Sequence, residues 1–318
     1  MASTSAGPPP IRAPRSRPRE LEDGLNRFVY HPLSYRLARV LRLTGVSPNA
    51  VSVTGMLLVW GAAAAYVGLP SPSSYLIGFA LHLLWHVVDG ADGDLARMTG
   101  RSSPTGELVD GLCDYAGHAL LYFALAGLLQ GQIGLWAWPL GLAAAMSHVV
   151  QSNHAETQRR FYLSWVYHVP WLRQVSPGEE RMLSGAGGFS RAVGWLARLY
   201  LGAPNVMTPF APAIDAAVQD AEANPDRRRR IAGLVRRSWR ANLAFEKLLG
   251  ANPRTIILGF SMALGSPLYF FLVESVLLNL LLVWSVRHHN AVAGRIVARI
   301  REGATPARAG AEQAGREG

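Results

Sequence analysis

The chain has 318 residues, half of them hydrophobic and only 16% charged, where a soluble domain carries about a quarter; this points to a polytopic membrane protein. Basic residues outnumber acidic ones 31 to 21, for a net charge of +10, which on such a chain fits loops facing anionic lipid and gives no reason to expect nucleic-acid binding. The single cysteine, Cys113, excludes a disulfide framework and a cysteine-based metal centre.

Residues 1–20 are rich in proline and arginine, lack the apolar run of a signal peptide, and are expected to form a disordered tail. Residues 21–47 predict an amphipathic helix on the membrane surface, with Leu21, Phe28, Leu33, Tyr35, Leu37 and Leu41 among polar and arginine positions. Ser47 and Pro48 then suit an N-cap and first helical turn.

A crossing needs roughly 20 apolar residues, and the sequence predicts about six transmembrane helices. They fall at about 50–69, 74–97, 106–129, 134–155, 252–265 and 267–286, the fifth being short. Residues 48–155 would form the catalytic core and 252–286 the last two spans. The connections 69–73, 130–133 and 264–267 carry no charge, whereas the other side holds the arginine-bearing tail, Arg101, the segment 156–251 and everything from Arg287. Arginine bias puts that side, with both termini, in the cytoplasm.

The long segment 156–251 reads as a cytoplasmic or interfacial basic insertion. Trp165, Tyr167 and Trp171 alternate with arginines as if in the headgroup layer, and SRAVGWLARLYLG at 190–202 repeats that character. A polar helix with Arg227–Arg230, Arg236, Arg237 and Arg240 follows, a solvated basic face or a contact for an anionic lipid or substrate. Residues 287–318 read as a cytoplasmic tail, the last thirty of them disordered.

One stretch breaks the apolar pattern. Residues 89–114, DGADGDLARMTGRSSPTGELVDGLCD, hold six of the 21 acidic residues between two apolar flanks. Carboxylates beside lipid are costly without compensation. Asp89 and Asp92 lie three apart, Gly106, Asp110 and Asp114 four apart, so each set shares one helix face. A short loop makes the two helices a hairpin on which Asp89, Asp92, Asp110 and Asp114 converge near the cytoplasmic surface. Four clustered carboxylates suit one or two hard divalent cations, Mg²⁺ or Mn²⁺. Gly90, Gly93 and Ala96 leave the first helix open for close approach, and Arg97 supplies a cation for a phosphate. Together these describe a diphosphate site. An EF-hand is excluded, because Gly100 stands where its bidentate glutamate belongs.

The eight residues Asp89, Asp92, Gly93, Ala96, Arg97, Gly106, Asp110 and Asp114 fit D-x2-D-G-x2-A-R-x8-G-x3-D-x3-D, and the chain thereby resembles the CDP-alcohol phosphatidyltransferases. Ser47, Pro48 and Asn49 before the first span also look like that family, with Ser52 where threonine is commoner. The resemblance implies that Asp89, Asp92 and Asp110 bind two Mg²⁺ or Mn²⁺ ions, with Asp114 sharing one, and that Gly93, Ala96, Arg97 and Gly106 line the cytidine diphosphate pocket. It implies that Asp114 is the general base on an acceptor hydroxyl, that the donor is a CDP-activated lipid such as CDP-diacylglycerol, that CMP leaves, and that the protein forms a homodimer.

Other residues have two readings. His82, His86 and His118 are either packing histidines or partners of the carboxylates; Glu274 is an intramembrane functional group or half of an ion pair. Arg159 and Arg160 either anchor the fourth span or clamp an anionic acceptor. Asp94 fits no fixed position and reads as solvated or supporting; Cys113 reads as packing. The rival functions are a Mg²⁺-dependent prenyltransferase, which would place its acids on distant helices, and a cation carrier, which would need acids at several depths.

Overall fold

The computed structural model describes residues 18–169 and 206–302, which form helices and turns without a strand. Helix α1 spans His31–Thr44, following a π turn at Asn26–Tyr30. Helix α2 spans Pro48–Gly68, and the Ser47 hydroxyl accepts from the Ala50 N–H at 3.2 Å as its cap. Helix α3 runs Ser73–Thr99 and stops at Gly100, whose φ of 67° only glycine adopts easily. Helix α4, Pro104–Ile133, starts four residues later, capped by Ser103 accepting from the Gly106 N–H at 3.0 Å. Helix α5 runs Ala137–Tyr167. Then come α6, Ala211–Asp220, α7, Pro225–Leu248, and α8, Ala251–Ala263. Helix α9, Leu268–Leu272, a π turn at Val273–Leu277 and α10, Leu278–Glu302, complete the order.

Among the described residues, three stretches are long and apolar enough to cross a membrane: Pro48–Gly68, Thr105–Tyr167 and Leu268–Glu302. The second covers 63 residues through α4 and α5, about three times what one crossing needs. Helix α3 is not among them; Asp89, Asp92, Asp94 and Arg97 crowd its second half. Helix α8 has only 13 residues.

The chain divides into two compact units, one comprising Glu22–Ala155 with Lys247–Trp284. Here α2 packs on both α3 and α4, and α3 also contacts α1 and α8. Val59, Ala62, Tyr66, Trp85, Leu121, Leu125, Leu129, Leu258 and Phe271 fill the main core. Small residues set the helix spacing. A Cβ at Gly78 would lie 2.6 Å from the ring of Tyr66, which is itself buried. Gly78→Ala is therefore expected to destabilise by about 1–3 kcal/mol, read as a lower unfolding midpoint in detergent. Helix α1 turns Tyr30, Ser34 and Ala38 inward, and the Ser34 hydroxyl donates to the Val87 carbonyl at 2.8 Å. Tyr35, Val40 and Leu43 face outward among Arg36, Arg39 and Arg42. Leu37 and Leu41 are half-buried against α3, so the apolar residues expected on one surface serve two faces.

The other unit comprises residues up to Leu21, Glu156–Glu246 and Ser285 onward. Its core contains Phe161, Trp165, Ile214, Ile231, Val235, Trp239, Val292 and Ile296. Three expectations change here. Trp165 is buried rather than presented among arginines: it stacks on Phe161 one helical turn earlier, at 4.7 Å, and donates to Asp215 at 2.5 Å. Residues 287–302 are no tail but the last turns of α10, held by Val292, Ala293, Ile296 and Val297. Glu20 is tied down by the hydroxyls of Tyr162 and Tyr167, which donate to it at 3.1 and 2.5 Å. Burial pushes its carboxyl up, but those donors and the nearby Arg236 outweigh it and hold it below the usual range. The disorder expected for residues 1–17 and 303–318, and the interfacial reading of Trp171 and 190–202, lie outside the described residues.

Helix α7 follows the same logic. Ile231, Val235, Trp239 and Leu243 step by four into this core, leaving Arg229, Arg230, Arg236, Arg237 and Arg240 exposed. Among the paired ones, Arg229 donates to Asp226 at 2.7 Å.

Candidate active site

The end of α3 and the start of α4 bring three of the four motif aspartates to one point. Asp89, Asp110 and Asp114 each present an oxygen within 4.8 Å of the others. Asp92 stands beside them, hydrogen-bonded to Asp110. It is deeper, at 5% exposure, and doubly anchored, by the Ser52 hydroxyl donating at 2.5 Å and by the Gly93 N–H. The fourfold convergence predicted from spacing is thus a trio with an adjacent fourth. Carboxylates this close repel unless protons or a cation neutralise them. An all-oxygen set without histidine or cysteine matches the donor preference of Mg²⁺ or Mn²⁺.

The predicted nucleotide positions flank the cluster. Arg97 folds back along α3, so that a Cβ at Gly93 would lie 3.3 Å from Nη1. Its Nη2 donates to Asp94 at 2.6 Å; Asp94 therefore holds the arginine in place, a link the three-residue spacing could have revealed. The Ala96 carbonyl receives the Gly100 and Arg101 N–H groups that end the helix. At the start of α4, a Cβ on Gly106 would lie 3.2 Å from the Ser103 hydroxyl and 3.7 Å from Asn49 Oδ1, placing Asn49 of α2 beside it. Arg159 and Arg160 belong to the other compact unit, where both donate to Glu156 at 2.6–2.7 Å.

Two sets of contacts escaped the sequence reading. Trp85, one turn before Asp89, donates its indole N–H to Asp114 Oδ1 at 3.3 Å. His118 contacts the Asp114 main-chain carbonyl at 2.9 Å, and His86 contacts Thr255 of α8 at 2.9 Å. Glu274, fully buried in the π turn, pairs with Arg254 at 3.0 Å, the ion-pair reading of the two that the sequence offered. Cys113 is buried, as expected.

Residues 45–172 match the family model described as CDP-alcohol phosphatidyltransferase. The chain is similar to choline/ethanolaminephosphotransferase 2 of Arabidopsis thaliana, 34% identical over 122 residues, 36% of this chain and 31% of that protein. Choline/ethanolaminephosphotransferase 1 of the same plant is 33% identical over the same lengths. A bifunctional IPC transferase and DIPP synthase of Rubrobacter xylanophilus is 40% identical over 83 residues, 26% of this chain and 18% of that one. The chain thus spans less than a third of the length of the curated relatives it matches.

Proposed function

Residues 45–172 carry a CDP-alcohol phosphatidyltransferase domain, and from that premise we propose that the chain transfers a substituted phosphate from a CDP-activated lipid, such as CDP-diacylglycerol, to the hydroxyl of an acceptor alcohol. The observation that supports this most is the trio Asp89, Asp110 and Asp114 within 4.8 Å, with Asp92 fixed beside it by Ser52. Asp89, Asp92 and Asp110 would hold two divalent cations, Mg²⁺ or Mn²⁺, with Asp114 sharing one. When bound, such ions neutralise charge on the diphosphate.

The remaining steps belong to the chain itself. Gly93, Ala96 and Gly106 leave room for the cytidine diphosphate. Arg97 exchanges Asp94 for a donor phosphate oxygen, a bidentate match for its guanidinium. Asp114 accepts the proton of the acceptor hydroxyl as that oxygen bonds to the lipid-linked phosphorus. The bond from that phosphorus to the bridging oxygen breaks, and CMP departs with the electron pair. Asn49 lies beside Gly106.

The protein is read as an integral, multi-pass enzyme of phospholipid synthesis with six crossings, formed by α2, α3, α4, α5, α8 and the α9–α10 stretch. The short uncharged connections face outward; the termini and the aspartates face the cytoplasm. Helix α1, with its outward apolar and arginine side chains, lies on the membrane surface. The protein works as a homodimer.

The test is CMP release from CDP-diacylglycerol by the purified protein, across a panel of acceptor alcohols. Chelation of divalent metal is expected to stop release, and Mg²⁺ or Mn²⁺ to restore it. Release that persists in chelator sinks the metal assignment. Diphosphate release from a prenyl diphosphate, with no CMP from any CDP-alcohol, would instead identify a prenyltransferase, and neither product would leave a cation carrier.

A further inference from the structure

Trp85, a buried residue outside the motif, points its indole N–H at the proposed base. Its indole N–H reaches Asp114 Oδ1 at 3.3 Å, and the residue is 4% exposed. A lone hydrogen bond of that length would be ordinary packing if the ring were free to turn. The ring is not free. His86 and His118 bracket it at 4.5 and 4.6 Å between centroids, and His82 stands at 5.5 Å. On the α2 side a Cβ at Gly55 would already be 3.4 Å from Cδ1, so the indole lies flush against that helix. The bracketing imidazoles are themselves fixed: His86 by Thr255 at 2.9 Å and by stacking on Tyr30 at 4.7 Å, His118 by the Asp114 carbonyl. The cage therefore draws on α1's leading turn, α2, α3, α4 and α8.

Resting on the reading of Asp114 as base, we propose that Trp85 is a positioning residue for that carboxylate. Tying one oxygen to a fixed N–H sets the plane of the carboxylate and hence the direction of the other oxygen. A base must present its lone pair along the line of the incoming proton. Thr255, outside the matched domain, supports that geometry through His86 and the indole.

Two replacements test this. Trp85→Phe removes the N–H and part of the ring; β-(3-benzothienyl)alanine, introduced at position 85 by nonsense suppression, keeps the bicyclic shape and puts sulfur where the N–H was. Both should lower kcat about tenfold, the scale of one hydrogen bond to a charged group. KM for the CDP-lipid and the affinity for Mn²⁺, followed by electron paramagnetic resonance without turnover, should stay within about twofold. A benzothienyl variant with wild-type kcat overturns the proposal. So does a loss carried by KM or by Mn²⁺ affinity, since a packing or metal-site defect would produce it. Asp114→Asn is assayed alongside: if it keeps wild-type turnover the base assignment itself fails, whereas its inactivity beside a fully active benzothienyl variant removes only the role of Trp85.

Discussion

Asp114→Asn is expected to reduce CMP release by about 10²–10⁴-fold, the range for removing a general base, while binding of the CDP-lipid stays close to wild type. The substitution is nearly isosteric, and its amide oxygen can still accept from the Trp85 indole that now binds Oδ1 at 3.3 Å. The carboxamide lacks the basicity to take a proton from an alcohol. Single-turnover CMP release and equilibrium binding of a labelled CDP-lipid separate the two effects. Wild-type turnover by this variant ends the base assignment. Loss of binding together with turnover would recast Asp114 as a ligand of the metal and nothing more.

The largest effect on stability is expected at Arg254. Its side chain is 3% exposed, its Nε lies 3.0 Å from Glu274, and its partner is fully buried. Nη1 donates to the Ser152 hydroxyl at 2.9 Å and the Leu249 carbonyl at 2.6 Å, and Nη2 to Gln151 at 2.9 Å. Arg254→Met leaves Glu274 as an uncompensated buried charge and is expected to cost about 3–5 kcal/mol. Adding Glu274→Gln should recover part of that loss, because the neutral amide needs no counter-charge. Unfolding midpoints of the two variants in detergent, with wild type as reference, measure both effects. An Arg254→Met protein as stable as wild type would show that the pair contributes nothing.

The aspartate motif was legible because helical spacing alone puts residues three and four apart on one face, and a four-residue turn folds one helix back on the other. What spacing could not give was depth. Asp92 looked equivalent to Asp89, yet Ser52 draws it to one side of the trio. The Arg254–Glu274 pair was out of reach for a different reason. Glu274 was visible as a buried acid, but its partner Arg254 was not, because their meeting depends on how α8 packs by the π turn at Val273–Leu277. The C-terminal turns were misjudged through composition. Glycine, alanine and arginine after 287 read as disorder, although Val292, Ala293, Ile296 and Val297 recur at helical intervals and are buried. Periodicity was the better guide there. Trp165 misled for the opposite reason, since alternation with arginine resembles an interfacial belt, whereas its four-residue offset from Phe161 marks a shared buried face.

The contact between His86 and Thr255 joins residues 169 positions apart, and that separation matters while the chain is still on the ribosome. At about 5–20 residues per second, Thr255 is added roughly 8–34 s after His86. Arg254 likewise follows Gln151 by 103 positions. During that interval the polar side chains of α3 and α5 must be shielded by water, lipid headgroups or an insertion factor. A nascent chain arrested before residue 250 should therefore be a substrate for membrane quality control, while one released after α10 should escape it.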